Sequence, residues 1–227
     1  CACGDTKQEE AGGVGSDGTS SSGAVVDGGE MVVGIAQDLG DSLDPYQMTA
    51  AGTREVLFNI YEGLVKPNAS GEYVPAVASD STVSEDGLTY TFPLREGVLF
   101  HNGAAVTTDD VIYSFKTCAE TTVDTALAEA LSSVKDITAD GNTVTVTLKE
   151  ANPDFLSYVG MVYIVPADYT DEATAPVGTG PFKFVSRSVQ ENLIVEKFAD
   201  YWGEKAHLDK VTSKIHEDAN ALISPPR

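Results

Sequence analysis

The residues of this sequence that could do chemistry are few and widely spaced. The three histidines are His101, His207 and His216. Their separations do not match the short ligand spacings of zinc sites, and the chain contains neither an H-E-x-x-H nor a C-x-x-C motif. Cys1 and Cys3 are one residue apart, and Cys118 lies in an apolar helical pattern that favours burial. The sequence therefore predicts no metal site and no cofactor.

Two further patterns resemble functional motifs but have simpler explanations. Residues 13–18 match G-x-G-x-x-G, but no strand precedes them and no helix follows, so the match reflects glycine-rich composition. Thr107 and Asp110 have the spacing of a helix capping box rather than of a catalytic dyad. The chain also lacks the G-x-S-x-G motif of serine hydrolases. We therefore expect a protein that is not an enzyme.

The charge of the chain excludes some classes of partner. It has 14 Lys and Arg against 35 Asp and Glu, a formal net charge of -21, and a pI of about 4.2. Such a surface repels phosphate backbones and anionic membrane faces, which argues against nucleic-acid binding. The sequence has no run of 18 apolar residues of the kind that crosses a bilayer. An acidic, soluble protein body is the expectation.

The first 29 residues have the composition of a tether. They are rich in glycine and serine and contain no aromatic residue, so they cannot bury enough apolar surface to fold. The chain starts at Cys1, as does a lipoprotein whose signal peptide has been removed. We therefore predict that Cys1 carries a lipid anchor on the outer face of a membrane, or in the periplasm. An arbitrary starting point of the sequence is the alternative.

The folded pattern begins with a short strand at residues 31–35, and a turn is predicted at 42–45. Thr53 is predicted as the N-cap of a helix that ends near Gly63. The apolar residues behind that cap, at spacings of three and four, are Val56, Leu57, Ile60, Tyr61 and Leu64. A second helix is expected after Thr107. These elements, together with the strands below, predict a mixed α+β fold without repeats.

Strands are predicted where apolar residues alternate with polar ones. The segment 88–94 alternates in this way, and Pro93 favours an edge position because it cannot donate a hydrogen bond. A hairpin is expected around Gly141, since alternating segments lie on both sides of residues 140–142. Further short strands are predicted at 182–184, 193–198 and 211–215.

Several segments, in this order, resemble the extracellular solute-binding protein family 5, whose members serve peptide, nickel and related ABC transporters. They are Leu43-Asp44-Pro45, Ile60-Tyr61-Glu62-Gly63-Leu64, residues 86–103, residues 106–115, Gly178-Thr179-Gly180-Pro181-Phe182 and Asp200-Tyr201-Trp202-Gly203. Each segment alone is a weak signal. The co-linear set covers almost everything from Met31 to about Asn220.

The resemblance implies a periplasmic-binding-protein-like fold of type II with an extra subdomain, of which this chain has the first lobe. It implies a first-lobe core at 30–64 and 171–227, and a smaller subdomain at 65–170, after the tether at 1–29. Family members have a second lobe that this sequence lacks. Residues 214–222 lead into a predicted helix, which Pro225 and Pro226 then stop. A truncated or frame-shifted sequence is therefore expected, and a deliberate fragment is the alternative.

The resemblance also suggests a binding site and partners. Thr49, Ala50 and Ala51 align with a backbone segment that lines the solute cleft, and Tyr46 could form a flat apolar wall beside it. A plain surface loop is the alternative. The implied function is capture of a small solute, with short peptides as the first candidate, by a monomer that delivers it to an ABC permease. A sensor or scaffold lipoprotein using the same lobe is the second hypothesis, and a secreted hydrolase the third.

Overall fold

The computed structural model describes residues 28–48 and 51–216, with only the backbone of Ala51. Cys1, most of the predicted tether and the prolines at 225 and 226 lie outside these residues. The elements are β1 (Glu30–Ile35), α1 (Ala51–Leu57), β2 (Val65–Pro67), β3 (Tyr73–Pro75), β4 (Thr82–Val83), β5 (Thr89–Pro93), α2 (Thr108–Ala119), α3 (Thr125–Ser132), β6 (Val134–Asp140), β7 (Thr143–Leu148), α4 (Phe155–Val159), β8 (Phe182–Ser188), β9 (Asn192–Lys197) and β10 (Lys210–Ile215).

The first sheet joins the two ends of the described chain. Its strand order is β1-β10-β9-β8. Strand β1 runs parallel to β10, from the pair Glu30 and Lys210 to the pair Ile35 and Ile215. The other neighbours in the sheet are antiparallel. The strands predicted at 31–35, 182–184, 193–198 and 211–215 are thereby confirmed.

The second sheet has the order β4-β5-β7-β6 and carries helices α2 and α3. Tyr90 and Phe92 point into the core from β5, and Val144, Val146 and Leu148 do so from β7. The predicted alternation is therefore confirmed, as is the hairpin at Gly141, which has a φ of 59°. All strands of this sheet come from the segment 65–170. The boundaries of the predicted subdomain stay a prediction.

Strand β5 is not an edge strand, so the position predicted from Pro93 is wrong. It lies between β4 and β7. However, β4 pairs only with Tyr90 and Thr91, so it has ended before Pro93 is reached. The next residue, Leu94, donates its N–H to Asn142 on the β7 side, so Pro93 faces the chain that precedes β4. There its carbonyl accepts the Ser79 N–H at 2.8 Å, and only the hydrogen bond that a Pro93 N–H would donate is missing.

The predicted capping box at the start of α2 is confirmed. The Asp110 N–H donates to the Thr107 hydroxyl at 3.4 Å, and the Thr107 N–H donates to Asp110 Oδ2 at 2.9 Å. The other carboxylate oxygen of Asp110 accepts a bond from the Ala167 N–H at 3.0 Å. One side chain thus satisfies the helix terminus and fixes a loop 57 residues away.

Helix α1 differs from its prediction at both ends. Thr53 is its third residue rather than its N-cap, and its buried hydroxyl accepts a hydrogen bond from the Gly40 N–H at 3.0 Å. The helix ends at Leu57, although Ile60, Tyr61 and Leu64 continue the apolar spacing and are fully buried. The spacing reflects burial on several sides, not one helical face.

The 59–64 segment is not helical, because other parts of the chain bind its carbonyl groups. Its main-chain partners are Phe182 N on Asn59 O at 3.2 Å, Gly180 N on Ile60 O at 2.9 Å, Ile164 N on Glu62 O at 2.9 Å, Val77 N on Gly63 O at 3.2 Å, and Ala76 N and Ala78 N on Leu64 O at 2.9 and 3.1 Å. A helix would need the same carbonyls for its own turns. Long-range hydrogen bonds therefore override the local pattern.

The turn at residues 178–181 lies against this segment at main-chain distance. A Cβ atom on Gly178 would be 2.2 Å from the Ile60 carbonyl oxygen, and one on Gly180 would be 2.2 Å from that of Asn59. Neither glycine has a positive φ. The requirement for glycine here is the close approach of two main chains rather than an unusual conformation.

We predict that Gly178→Ala lowers the free energy of unfolding by about 3 kcal/mol or more, because the new methyl group forces the two main chains apart. Gly52→Ala is the matched control. Gly52 lies in α1, and no described atom beyond its chain neighbours and its own helix backbone comes within 4 Å of its added Cβ, so alanine there should leave stability unchanged or raise it slightly. Urea unfolding of the two variants measures the difference, and equal stability would contradict the close-packing account.

Candidate ligand-binding surface at helix α1

The loop that leads into α1 is shaped by Asp44. Its Oδ1 accepts a hydrogen bond from the Tyr46 N–H at 2.8 Å, and its carbonyl accepts one from the Gln47 N–H at 3.1 Å. The turn therefore lies at 44–47, two residues beyond its predicted position. Burial raises the pKa of Asp44, and the hydrogen bond from Tyr46 opposes that shift.

Tyr46 is held from two sides. Its hydroxyl donates to the carbonyl of Tyr163, and its own carbonyl accepts a hydrogen bond from the Thr121 hydroxyl at 2.6 Å. The side chain is 8% exposed, and burial raises its pKa well above the usual value. A tyrosine bound in this way presents a fixed ring edge rather than a movable side chain.

A small cavity lies beside Tyr46, between α1 and the start of α3. Its volume is about 40 Å³, room for about three water molecules. The lining residues are Pro45, Tyr46, Arg54, Cys118, Thr121, Asp124, Leu127, Met161 and Tyr163. Arg54 is bound to Asp124 by a contact of 3.3 Å from Nη1 to Oδ2. Asp124 also caps α3, because its Oδ1 accepts the Leu127 N–H at 3.0 Å.

The predicted site residues have different positions. Tyr46 lines this cavity. Ala51 begins α1, so its backbone lies at the entry to the helix. Thr49 and Ala50 lie outside the described residues, as does Cys1. Ligand contact by Tyr46, Thr49, Ala50 and Ala51 therefore stays a prediction. No local sequence pattern pairs Arg54 with Asp124, because 70 residues separate them.

Behind the loop, Tyr61 connects the 59–64 segment to a buried carboxyl group. Its hydroxyl donates to Glu172 Oε2 at 2.8 Å, and its ring stacks on Tyr163 with centroids 5.7 Å apart. The same oxygen accepts the Val177 N–H at 3.0 Å. Among the described residues, Glu172 Oε1 has no hydrogen-bond partner. Burial raises the pKa of Glu172 to about 7. The two hydrogen bonds lower this pKa, and the nearby charge of Asp44 raises it further.

His101 has a structural place in the fold. Its Nδ1 accepts the Gly178 N–H at 3.3 Å, so Nε2 carries the proton and donates to the Gly180 carbonyl at 2.9 Å. Burial lowers its pKa to about 4, which keeps the ring neutral in this arrangement. Within residues 28–48 and 51–216, no three His, Cys, Asp or Glu side chains are grouped as metal ligands.

Cys118 and Trp202 also pack within the fold. Cys118 is 1% exposed, as predicted, and burial raises its thiol pKa to about 12. The Trp202 ring lies under the Arg95 guanidinium, with 4.0 Å from its carbon to the ring centroid, and its Nε1 donates to Glu62 Oε2 at 2.8 Å. None of the helices in the described part of the chain is long and apolar enough to cross a membrane.

The profile of the bacterial extracellular solute-binding proteins, family 5 (middle region), matches residues 72–224 of this sequence. That match covers more than half of the chain. The chain therefore belongs to the bacterial extracellular solute-binding proteins of family 5, which confirms the resemblance found in the sequence.

The curated relatives of this chain are named for different ligands. The chain is 31% identical to the nickel-binding periplasmic protein of Escherichia coli over 169 residues, which are 70% of this chain and 32% of that protein. It is 30% identical to the dipeptide-binding protein of the same organism over 181 residues, 66% of this chain and 34% of that protein. The chain spans about a third of the length of these relatives.

Solved structures give the same fold. The periplasmic binding protein DppA from Helicobacter pylori, in complex with the peptide STSA, superposes with a TM-score of 0.77 at 33% identity, over 86% of this chain and 44% of that one. NikA from Brucella suis, in complex with Fe(III)-EDTA, gives 0.74 at 26% identity, over 85% and 40%. The mixed α/β, periplasmic-binding-protein-like architecture of type II is thereby confirmed, as part of a lobe.

We predict that Glu172 makes the folded protein less stable as the pH rises from about 4.5 to about 7. The folded-state pKa is raised above the ordinary value of 4.5, so the folded protein holds a proton that the unfolded chain has already lost. The stabilisation from that proton is complete below pH 4.5 and is lost by about pH 7, a change of about 3 kcal/mol.

Glu172→Gln, which cannot titrate, isolates this effect. The difference in unfolding free energy between wild type and the variant should change by that amount between pH 4.5 and pH 7.5 and stay constant above it. Glu150→Gln, at an exposed carboxyl group, is the control for the removal of one negative charge. If the unfolding free energies of wild type and of the Glu172 variant changed with pH in the same way across this range, the prediction would be contradicted.

Proposed function

We propose that this chain is part of the substrate-binding lipoprotein of an ABC importer, which captures short peptides outside the cell membrane and delivers them to the permease. Membership of family 5 is the observation that carries the proposal. Cys1 would hold the lipid anchor, with residues 1–29 as the tether. The protein would act as a monomer, by binding and not by catalysis, on the outer face of the membrane or in the periplasm.

The mechanism we propose is closure of two lobes on the solute. The residues at 30–64 and 171–227 would form the core of the first lobe, and those at 65–170 its smaller subdomain. A solute that contacts both lobes stabilises the closed state over the open one, and only this difference in contacts shifts the population. The permease would then recognise the closed form.

Peptides are favoured as solutes by two observations. The Helicobacter pylori protein that superposes on this chain is a complex with a tetrapeptide, and relatives at 30–31% identity are named dipeptide-binding proteins. The family resemblance adds a second argument, since it aligns Thr49, Ala50 and Ala51 with a cleft-lining backbone segment to which an extended peptide could hydrogen-bond. Tyr46, the fourth predicted site residue, has a side chain held in place by the Tyr163 carbonyl.

The test is a binding screen on the native protein isolated from its source. We expect defined di-, tri- and tetrapeptides to raise the melting temperature. A ligand at 100 times its dissociation constant stabilises by about 2.7 kcal/mol. Nickel, haem and glutathione form the comparison set, since relatives carry these names. Stabilisation by nickel or haem, and neither by glutathione nor by any other peptide, would overturn the peptide assignment.

The lipid anchor has a separate readout. Mass spectrometry of the N-terminal peptide of the native protein should show Cys1 with added acyl mass. An unmodified Cys1, or a preceding residue in the native chain, would remove the anchor from the proposal and leave the solute-binding part unaffected.

A further inference from the structure

The cavity beside Tyr46 is too small for a whole solute but large enough for one end group. Its volume of about 40 Å³ matches a carboxylate or a similar small group. Its rim is accessible, because the Arg54 side chain is 40% exposed and Met161 is 38% exposed. It lies beside Tyr46, one of the residues for which the sequence predicts solute contact.

Most of the hydrogen-bonding groups that line the cavity already have partners within the protein. The hydroxyl of Tyr46 is bound to the Tyr163 carbonyl, and the Thr121 hydroxyl to the Tyr46 carbonyl at 2.6 Å. Asp124 uses one oxygen for the N-terminus of α3. These groups have little capacity left for a ligand, so they serve as a rigid, partly apolar frame.

Arg54 is the exception among the lining residues. A guanidinium has five N–H donors in a planar fork, and the bond recorded for Arg54 among the described residues is the single one to Asp124 at 3.3 Å. Carboxylates bind such a fork best through two parallel bonds. One long contact leaves most of that capacity unused.

The charge of Arg54 also acts on the cavity lining. Burial and the charge of Asp124 raise the pKa of the Cys118 thiol, and Arg54 opposes them. Burial likewise raises the pKa of the Tyr163 hydroxyl, and Arg54 again acts in the opposite direction. In a chain with a net charge of -21, an approaching anion needs such a local cation in order to be held.

We propose that Arg54 binds a carboxylate group of the solute at this cavity, with Asp124 as the internal group that competes for the guanidinium when no solute is present. The solutes are therefore carboxylate-bearing molecules, such as peptides with a free C-terminus or an acidic side chain. This proposal rests on the proposed function and adds the chemical class of the bound group.

The first experiment does not depend on the identity of the solute. Acetate is titrated into the ¹⁵N-labelled chain while the Arg54 Nε–H signal is followed by NMR, assigned by its loss in Arg54→Lys. Acetamide at the same ionic strength is the comparison, and the Nε–H signals of Arg95 and Arg187 are internal controls. We expect a saturable shift of the Arg54 signal with acetate alone. An Arg54 response no larger with acetate than with acetamide overturns the proposal.

Asp124→Asn sharpens the test. Asparagine is as good an N-cap as aspartate, so α3 keeps its cap while the competing charge is removed. We expect acetate to bind severalfold more tightly to this variant. Lys205→Gln removes one exposed charge elsewhere and should leave acetate binding unchanged. Unchanged or weaker acetate binding in the Asp124 variant contradicts the assigned competition.

A second experiment uses peptides and separates the two proposals. The native protein should bind tetrapeptides with a free C-terminus at least tenfold more tightly than their C-terminal amides, and Arg54→Gln should reduce that ratio to near one. Equal binding of acid and amide by wild type overturns the Arg54 assignment but leaves peptide capture intact. An acetate shift without any peptide binding supports the Arg54 assignment and instead overturns the peptide function.

Discussion

The described structure depends on the backbone carbonyls of the 59–64 segment. Asn59 and Ile60 bind the turn that leads into β8, Glu62 binds the chain after α4, and Gly63 and Leu64 bind the stretch beyond β3. One short piece of irregular chain thus connects the turn into the first sheet with segments that border the second. Because each carbonyl has a different partner, a shift of this segment by one residue would break contacts throughout the fold.

The side chains of the same segment add a second level of connection. Tyr61 binds Glu172, whereas Glu62 accepts hydrogen bonds from Tyr201 and from Trp202 Nε1, the latter at 2.8 Å. Both carboxyl groups are buried, and burial raises both pKa values. Buried polar groups of this kind are costly unless paired, and when paired they favour a single arrangement of the chain.

Sequence reasoning succeeded where structure is local and failed where partners are distant. The alternation in β5 and β7 and the capping box at Thr107 follow from neighbours within a few residues, so the pattern alone determines them. The end of α1 does not, because its apolar spacing is continued by residues that are buried for other reasons. Helix α3 went unpredicted. Its apolar residues are small apart from Leu127 and Leu131, and its cap at Asp124 lacks the acidic third residue of a capping box. The pairing of Arg54 with Asp124 is set by folding and leaves no trace in either sequence neighbourhood.

The parallel pairing of β1 with β10 has a consequence for how the protein is made. The partner of Glu30 is Lys210, so β1 emerges from the ribosome 180 residues before the strand that pairs with it. Until then Met31, Val32 and Val33, which are more than a third exposed even in the finished sheet, have no neighbouring strand among the described elements. Contacts so distant along the chain form slowly. The first sheet of this protein therefore cannot be completed until the last of the described strands has been synthesised, whereas all strands of the second sheet are made earlier.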